Sequence, residues 1–412
     1  MNNILKVGLF LVALLTGTGA ALAQFQPVAP RPALPQSGAA LKQITIGFID
    51  LDGDPRYEPM EVYQRHILKD LDPAYQGAEM GVEDSVIMNR STGAEFKLQR
   101  FTLKSADAAL AAVQEGQGKG ISFFLIDLPA SAYKAVAAGV KGKDVLLFNV
   151  SAPEDTLRRD MCSAEFVHVY PSRAQLMDGL VQLLVSKKWR DYLVLEGQTS
   201  EDAEMTKAFV RSTQKFGARV VAQKTFEAGS DPRKRELNNP ALLSAINRDW
   251  DITFVADSAF DFARTVSYQT VRPRPVVGSI DLEPSAWHWT WERNGAPQVN
   301  TRFHRISGGR KMAGHDWSAW MAVKMVVQAV VRTRSTEFPA LRNFILKDGS
   351  FDPAKGLAAS VRPWDHQVRQ SIILATPFSI TASAPMAGFL HRLNELDSLG
   401  DDEADTPCKL NR

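Results

Sequence analysis

Short apolar runs alternate with amphipathic stretches along this chain, and that alternation leaves few architectures open. ITIGFI (44–49), EFKLQRF (95–101), ISFFLI (121–126) and VLLFNV (145–150) are apolar or β-branched runs of the buried-strand type. Helical stretches are predicted between them near 75–90, 105–115 and 130–138. Strand, helix, strand in succession is βαβ organisation, so this part of the chain is predicted to build a mostly parallel sheet. A second series begins after Tyr170. Ser172 and Gln175 form a capping box before an apolar-periodic helix to about Lys187. The strand DYLVLE (191–196) follows, then a helix near 201–216 opened by Ser200, the strand ARVVAQKTF, a helix entered through Asn239-Pro240, and the strand DITFVA (251–256). PVVGSI (275–280) and a long helix from His315 to Arg334 complete the pattern.

The predicted fold class is therefore α/β, with two doubly wound parallel-sheet lobes joined by a hinge of crossover segments. A length of 412 residues exceeds the ~250–300 at which single cores stop growing, which also favours two lobes. Residues 43–166 with 278–340 are expected to form the N-terminal lobe, 167–277 with 341–385 the C-terminal lobe, and 386–412 a tail. The chain is expected to cross between lobes near 165–170, 278 and 335–350.

Residues 1–23 read as a cleaved signal peptide, with Lys6, an apolar run from Val7 to Leu15, and a cleavage site at Ala21-Leu22-Ala23. A Pro-rich linker (24–42) follows. The expected location is thus the periplasm. Lys and Arg number 48 against 46 Asp and Glu, a near balance that argues against a nucleic-acid partner. The two cysteines, Cys162 and Cys408, are too few for a zinc ribbon or a disulfide-dense scaffold. In an oxidising compartment they are expected to pair, tying the tail back to the first lobe.

Pro171-Ser172-Arg173, which opens the second lobe, and the return through Arg274-Pro275-Val276-Val277-Gly278 resemble a type I periplasmic solute-binding protein of the leucine/isoleucine/valine class. PSRAQLMDGLVQLLVSKKWRDYLVLEG, RPRPVVGSIDLEPSAWHWTWE, DWSAWMAVK and GFLHRLNELDSLG resemble more narrowly the ABC-transporter substrate-binding subfamily associated with pyrroloquinoline-quinone-dependent alcohol dehydrogenase systems. The resemblance covers nearly all of 43–408. It implies a monomeric, non-enzymatic receptor that closes on a small solute and delivers it to an ABC permease in the inner membrane. A non-transporting sensor or dehydrogenase accessory on the same fold is the alternative.

Ligands of open α/β sheets sit outside the carboxyl ends of the strands, so the binding residues are sought there. Those positions carry Asp50, Asp52 and Asp54 after the first strand, Asp127 after ISFFLI, and Glu154 and Asp155 beyond VLLFNV. Glu196, Asp257 and Asp261 follow in the second lobe, and Asp281 and Glu283 near the crossover. Ser131 and Ser151 are the candidate hydroxyl donors. Clustered carboxylates repel unless a cation compensates, and hard cations take six to eight oxygens. Asp50, Asp52, Asp127, Glu154 and Asp257 are accordingly the expected ligands of calcium or a lanthanide, or of a complex containing one. The competing expectation is a small organic or amino-acid-like solute held by one or two of these acids. Each acid also has a plainer use, pairing with Arg56, Arg158, Arg159 or Arg264 or capping a helix.

Trp287-His288-Trp289-Thr290-Trp291 offers aromatic faces that could stack on a planar ligand through Trp287 and its neighbours, although packing under the helix from His315 is favoured. Enzyme motifs are missing: Gly116-x-Gly118-x-Gly120 precedes a strand instead of following one, and no G-x-S-x-G, H-E-x-x-H or phosphate-loop sequence occurs.

Overall fold

The computed structural model describes residues 41–62, 66–69, 71–227 and 238–410. The predicted signal peptide and all but the last two residues of the predicted linker lie outside them. The first strand, β1 (Lys42–Leu51), extends two residues beyond the predicted run 44–49 at each end. A short hairpin of β2 (Met60–Val62) and β3 (His66–Lys69) precedes the helix Tyr75–Ser85. Then come β4 (Ala94–Leu103), the helix Ala109–Gly118, β5 (Phe123–Asp127), the helix Tyr133–Val140, β6 (Leu146–Asn149) and β7 (Phe166–His168). The main strands pair in the order β4-β1-β5-β6-β7, every pair parallel.

Period-two alternation explains why these runs form a sheet covered on both faces. Ile46, Phe48, Phe123, Leu125, Leu146 and Phe148 point into one core, while Ile49, Phe124, Ile126 and Leu147 point into another. Each such buried side chain contributes roughly 1.5–3 kcal/mol of transfer free energy. The first core is roofed by the long helix Gly314–Thr333, which buries Trp317, Trp320, Met321 and Met325. Helix Tyr75–Ser85 lies against it at close range. A Cβ at Gly77 would stand 2.1 Å from the Asp316 carbonyl oxygen, and one at Gly81 2.7 Å from Val323 Cβ, so only glycine permits this approach.

The second lobe repeats the plan. Helix Arg173–Ser186 carries the predicted capping box, with Gln175 N–H donating to Ser172 Oγ and Ser172 N–H to Gln175 Oε1 at 3.1 Å each. β8 (Asp191–Glu196), helix Ser200–Lys215, β9 (Arg219–Thr225), helix Pro240–Ser244, β10 (Ile252–Ala256) and β11 (Val276–Gly278) follow. Thr199, not Ser200, caps the second of these helices: its Oγ1 accepts from Asp202 N–H at 3.0 Å. The sheet runs β11-β10-β8-β9, all parallel.

The chain passes between lobes three times. After β7 it leaves the first lobe through Val169–Ser172, and after β11 it returns through β12 (Glu283–Ser285). Its last passage differs from the expected 335–350. Leu341, Ile345, Phe351, Val361 and Val368 pack in the first core, whereas Ile372, Leu374 and Ala384 pack in the second. The crossing therefore runs just after the small hairpin β13 (Ser360–Val361) and β14 (Val368–Arg369). β15 (Ile372–Thr376) and β16 (Ser379–Ala384) then join β12 in an antiparallel sheet. Cys162 and Cys408 form the expected disulfide.

Candidate functional site

The strand exits of the first lobe are organised around one arginine. Asp54 caps the turn Pro55–Tyr57 by accepting Arg56 N–H at 3.0 Å, which turns the Arg56 side chain back over the sheet edge. Its Nε and Nη2 donate to the Asp54 carboxylate at 3.0 and 2.6 Å, Nη2 also reaches Asp127 at 3.3 Å, and Nη1 donates to Ser151 Oγ at 2.9 Å. Asp127, fully buried at the end of β5, further accepts Tyr57 Oη–H at 2.6 Å and Ala74 N–H at 2.8 Å. Burial opposes ionisation of Asp127 most strongly, yet Arg56, then His315, Tyr57 and the Ala74 amide, outweigh it and lower its pKa. Burial likewise opposes the Arg56 charge, and Asp127 and Asp54 reverse that, raising its pKa. The Arg56 side chain keeps 30% exposure while both acids are buried, so a donor and not an acceptor faces outward.

The remaining acids are taken up separately. Asp50 lies beside Asp127 in the β1/β5 register, but its Oδ2 accepts Arg100 Nε and Nη2 at 2.9 and 2.5 Å, and Oδ1 has no partner among the described residues. Asp52 pairs with Lys104 on the surface. Glu154 meets Arg173 at 3.2 Å, and Asp155 caps the following helix by accepting Ala174 N–H at 2.9 Å. Ser131 is exposed in the turn Ala130–Ala132.

In the second lobe Asp257 accepts Phe262 and Ala263 N–H at 2.9 and 2.8 Å, holding its own loop; burial, partly offset by those amides, raises its pKa. Glu196 accepts Gln223 Nε2 at 2.8 Å, Asp281 accepts Ser267 Oγ at 2.6 Å, and Asp261 pairs with Arg264 at 3.0 Å. Glu283 lies in β12, opposite Ala375. What faces outward here are the hydroxyls of Thr199 and Ser258, 2.9 Å apart and both exposed at the start of helix Ser200–Lys215. Asp202, which the sequence reading passed over, sets that pair by accepting Ser258 N–H at 2.6 Å and Thr199 N–H at 3.1 Å.

The metal expectation changes accordingly. Asp50, Asp52, Asp127, Glu154 and Asp257 are not brought together, and no group of three or more His, Cys, Asp or Glu is placed to hold a metal among the described residues. The reason is that arginines, a lysine and backbone amides neutralise each acid where it stands. Trp287 is buried in the first core, stacked on Trp317 at 6.4 Å, with Nε1 donating to Asn300 Oδ1 at 2.9 Å. It packs under the long helix, the arrangement favoured for it above.

A buried polar network ties the three crossings together. Lys355 Nζ donates to Ala286 O and to Gln370 Oε1, each at 2.8 Å, and lies 3.6 Å from the Trp317 ring centre. Gln370 Nε2 in turn donates to Val169 O at 2.6 Å, so one lysine and one glutamine touch all three segments. Alongside, Arg158 donates to Gln367 Oε1 at 2.8 Å and to Tyr170 O at 2.7 Å, and Gln367 Nε2 donates to His168 O at 2.8 Å. Burial drives the Lys355 pKa well below its usual value and brings Arg158 down to about 10.

No family model matches the chain, and no curated protein matches it. Solved structures do. A branched-chain amino acid ABC transporter periplasmic ligand-binding protein from Burkholderia xenovorans superposes with a TM-score of 0.68 at 15% identity, over 90% of this chain and 100% of that one. The leucine-, isoleucine-, valine-, threonine- and alanine-binding protein of Brucella ovis, in a closed conformation, gives 0.64 at 13% identity, over 83% and 95%. An ABC-transporter solute-binding protein from R. palustris in complex with benzoate gives 0.60 at 12% identity, over 89% and 99%. The fold is thus that of the type I periplasmic binding proteins.

Proposed function

We propose that this chain is the periplasmic substrate-binding component of an ABC transporter and that it captures a small organic solute rich in acceptor oxygens, such as a carboxylate, by closure of its two lobes. The observation that carries the reading is Arg56. Two buried carboxylates fix its guanidinium at the strand exits, next to Ser151, while the side chain as a whole stays partly exposed. Thr199 and Ser258 present hydroxyls at the corresponding edge of the second lobe. The one Nη1 N–H that these partners leave over, flanked by hydroxyls, suits an acceptor oxygen such as that of a carboxylate, and a ligand touching both lobes stabilises the closed form by its differential affinity for that form. The fold neighbours named for binding amino acids, and the one in complex with benzoate, support the same class of solute. Donors at these edges speak for an organic ligand over the hard cation that the carboxylate count suggested. The link to quinone-dependent alcohol oxidation has the sequence resemblance as its sole support.

Calorimetry tests this with branched-chain amino acids, benzoate and short hydroxy acids against calcium and lanthanum. Saturable binding of one of the organic acids, with compaction in small-angle scattering, is expected. Saturable heat from a cation and none from any organic solute would refute the proposal.

A further inference from the structure

The tail is more than an appendage. Leu399 packs in the second core beside Leu180 and Leu184, and Gly400 N–H donates to the buried Asp178 carboxylate at 2.8 Å. Lys215, in the second lobe, donates to Ser398 O and Gly400 O at 2.9 and 2.8 Å. The same short segment is gripped from the other side. Arg362, at the end of β13, donates from Nε to Asp397 Oδ1 at 2.8 Å and from Nη2 to Leu399 O at 2.6 Å. Asp401 sits between lobes, 2.5 Å from Arg211 of the second and 3.6 Å from Arg159 of the first. Farther on, Cys408 is bonded to Cys162, in the loop that leads into β7, and Leu410 N–H donates to Trp364 O at 3.0 Å.

From this arrangement we propose that residues 394–410 form a strap across the crossings, that it limits how far the lobes swing apart, and that the Cys162–Cys408 bond is its clasp. The proposal rests on the hinged-receptor reading. The physical basis is simple: three crossings alone allow rotation about their common axis, whereas a fourth connection anchored in both lobes restrains it. Its anchor on the second lobe is buried packing and ion pairs, and its anchor on the first is covalent, so opening beyond the observed arrangement must strip one or the other. A strap of this kind narrows the range of openings that the free receptor samples and so reduces the conformational cost of capturing solute.

Small-angle scattering on the oxidised, solute-free protein tests the strap. Three variants accompany it: Cys162→Ser/Cys408→Ser, Asp401→Ala, and Gln370→Ala in the crossing network. A compact chain of this size has a radius of gyration of ~21 Å, and release of the strap is expected to raise it by ~1 Å in the cysteine variant and by less in Asp401→Ala. Asp401→Ala keeps the disulfide, so it remains informative if the cysteine variant does not fold, which circular dichroism reports. Superimposable scattering from wild type and every folded strap variant overturns the proposal. Expansion of Gln370→Ala alone then shows that the hinge is real and the strap is not, and no expansion in any variant removes the hinge as well.

Discussion

Arg362 and Asp397 offer the sharpest test of how a buried ion pair holds the last crossing to the tail. Arg362 is almost fully enclosed, and Asp397 is shared with Arg369, whose Nε and Nη2 donate to it at 2.7 and 3.0 Å. Removing one partner of a buried pair costs about 3–5 kcal/mol, because the other is left uncompensated. Arg362→Met leaves Asp397 with Arg369, so its cost belongs at the low end, ~3 kcal/mol. Asp397→Asn strips the only carboxylate in hydrogen-bond contact with Arg362 among the described residues, and its cost belongs near ~5 kcal/mol. With an unfolding entropy of ~2.1 cal/mol/K per residue over roughly 370 residues, these correspond to falls in Tm of about 4 and 6 °C. The double variant Arg362→Met/Asp397→Asn removes both charges together and is expected to cost less than the sum by at least ~1 kcal/mol. Calorimetric melting of the four proteins measures the cycle. Additive losses, or an Asp397→Asn variant that melts with wild type, would show that the pair is not coupled as described.

Burial, opposed by Arg362, raises the Asp365 pKa to about 6, so the stability that its protonated form confers is present below its unfolded value near 3.8 and is lost as pH rises through 6. Asp365→Asn keeps an acceptor for Gln367 N–H and is expected to stabilise the protein by roughly 3 kcal/mol at pH 7 but not at pH 4, as read from denaturant midpoints. Lys355 has the opposite sign: its folded pKa is depressed, the unfolded chain holds more protons below about pH 10.4, and wild-type stability should climb as pH rises towards that value. Lys355→Met should flatten the climb, and an unchanged pH slope would count against a buried, desolvated ammonium. In the solute site, Ser151→Ala removes one hydrogen bond to Arg56 and is expected to weaken binding of the captured acid about 3–10-fold, while Arg56→Lys, which loses the planar guanidinium that Asp54 and Asp127 hold in place, weakens it further. Equal affinity in wild type and Arg56→Lys, by calorimetry, would remove Arg56 from the site.

The strands and both parallel sheets were legible because parallel strands are buried on two faces and read as apolar runs: Phe123 to Ile126 and Leu193 to Leu195 have no polar residue to confuse the pattern. The capping box at Ser172 was equally local. What escaped was most of what long-range side-chain pairing fixes, the Cys162–Cys408 bond excepted. The acids at the strand exits were found at the right edge, and the plainer use weighed for them, pairing with Arg56 or Arg264 or capping a helix, is the one Asp54, Asp261 and Asp155 have, whereas no local pattern shows that Arg100 bridges back to Asp50. The last crossing was placed too early because the segment from Phe338 to Asp348 carries apolar residues suited to either lobe, and only packing against the long helix decides between them. Lys355 had one faint signal, a lone lysine between Phe351 and Val361, in a stretch that otherwise has little reason to be charged.

That lysine also turns the hinge into something that can be timed. Among the described residues Lys355 is the one lysine that is buried, and its amine is held against Trp317 and two acceptors. An acylating reagent in solution reaches surface amines at once but reaches this one only when the crossings part. Once exposed, the amine is free of the burial that shields it and reacts as a surface lysine does, so the slow phase of labelling at this position, followed by peptide mass spectrometry, reports the frequency of hinge breathing. A solute that locks the lobes would lengthen that phase, giving a clock for closure that requires no label to be engineered into the chain.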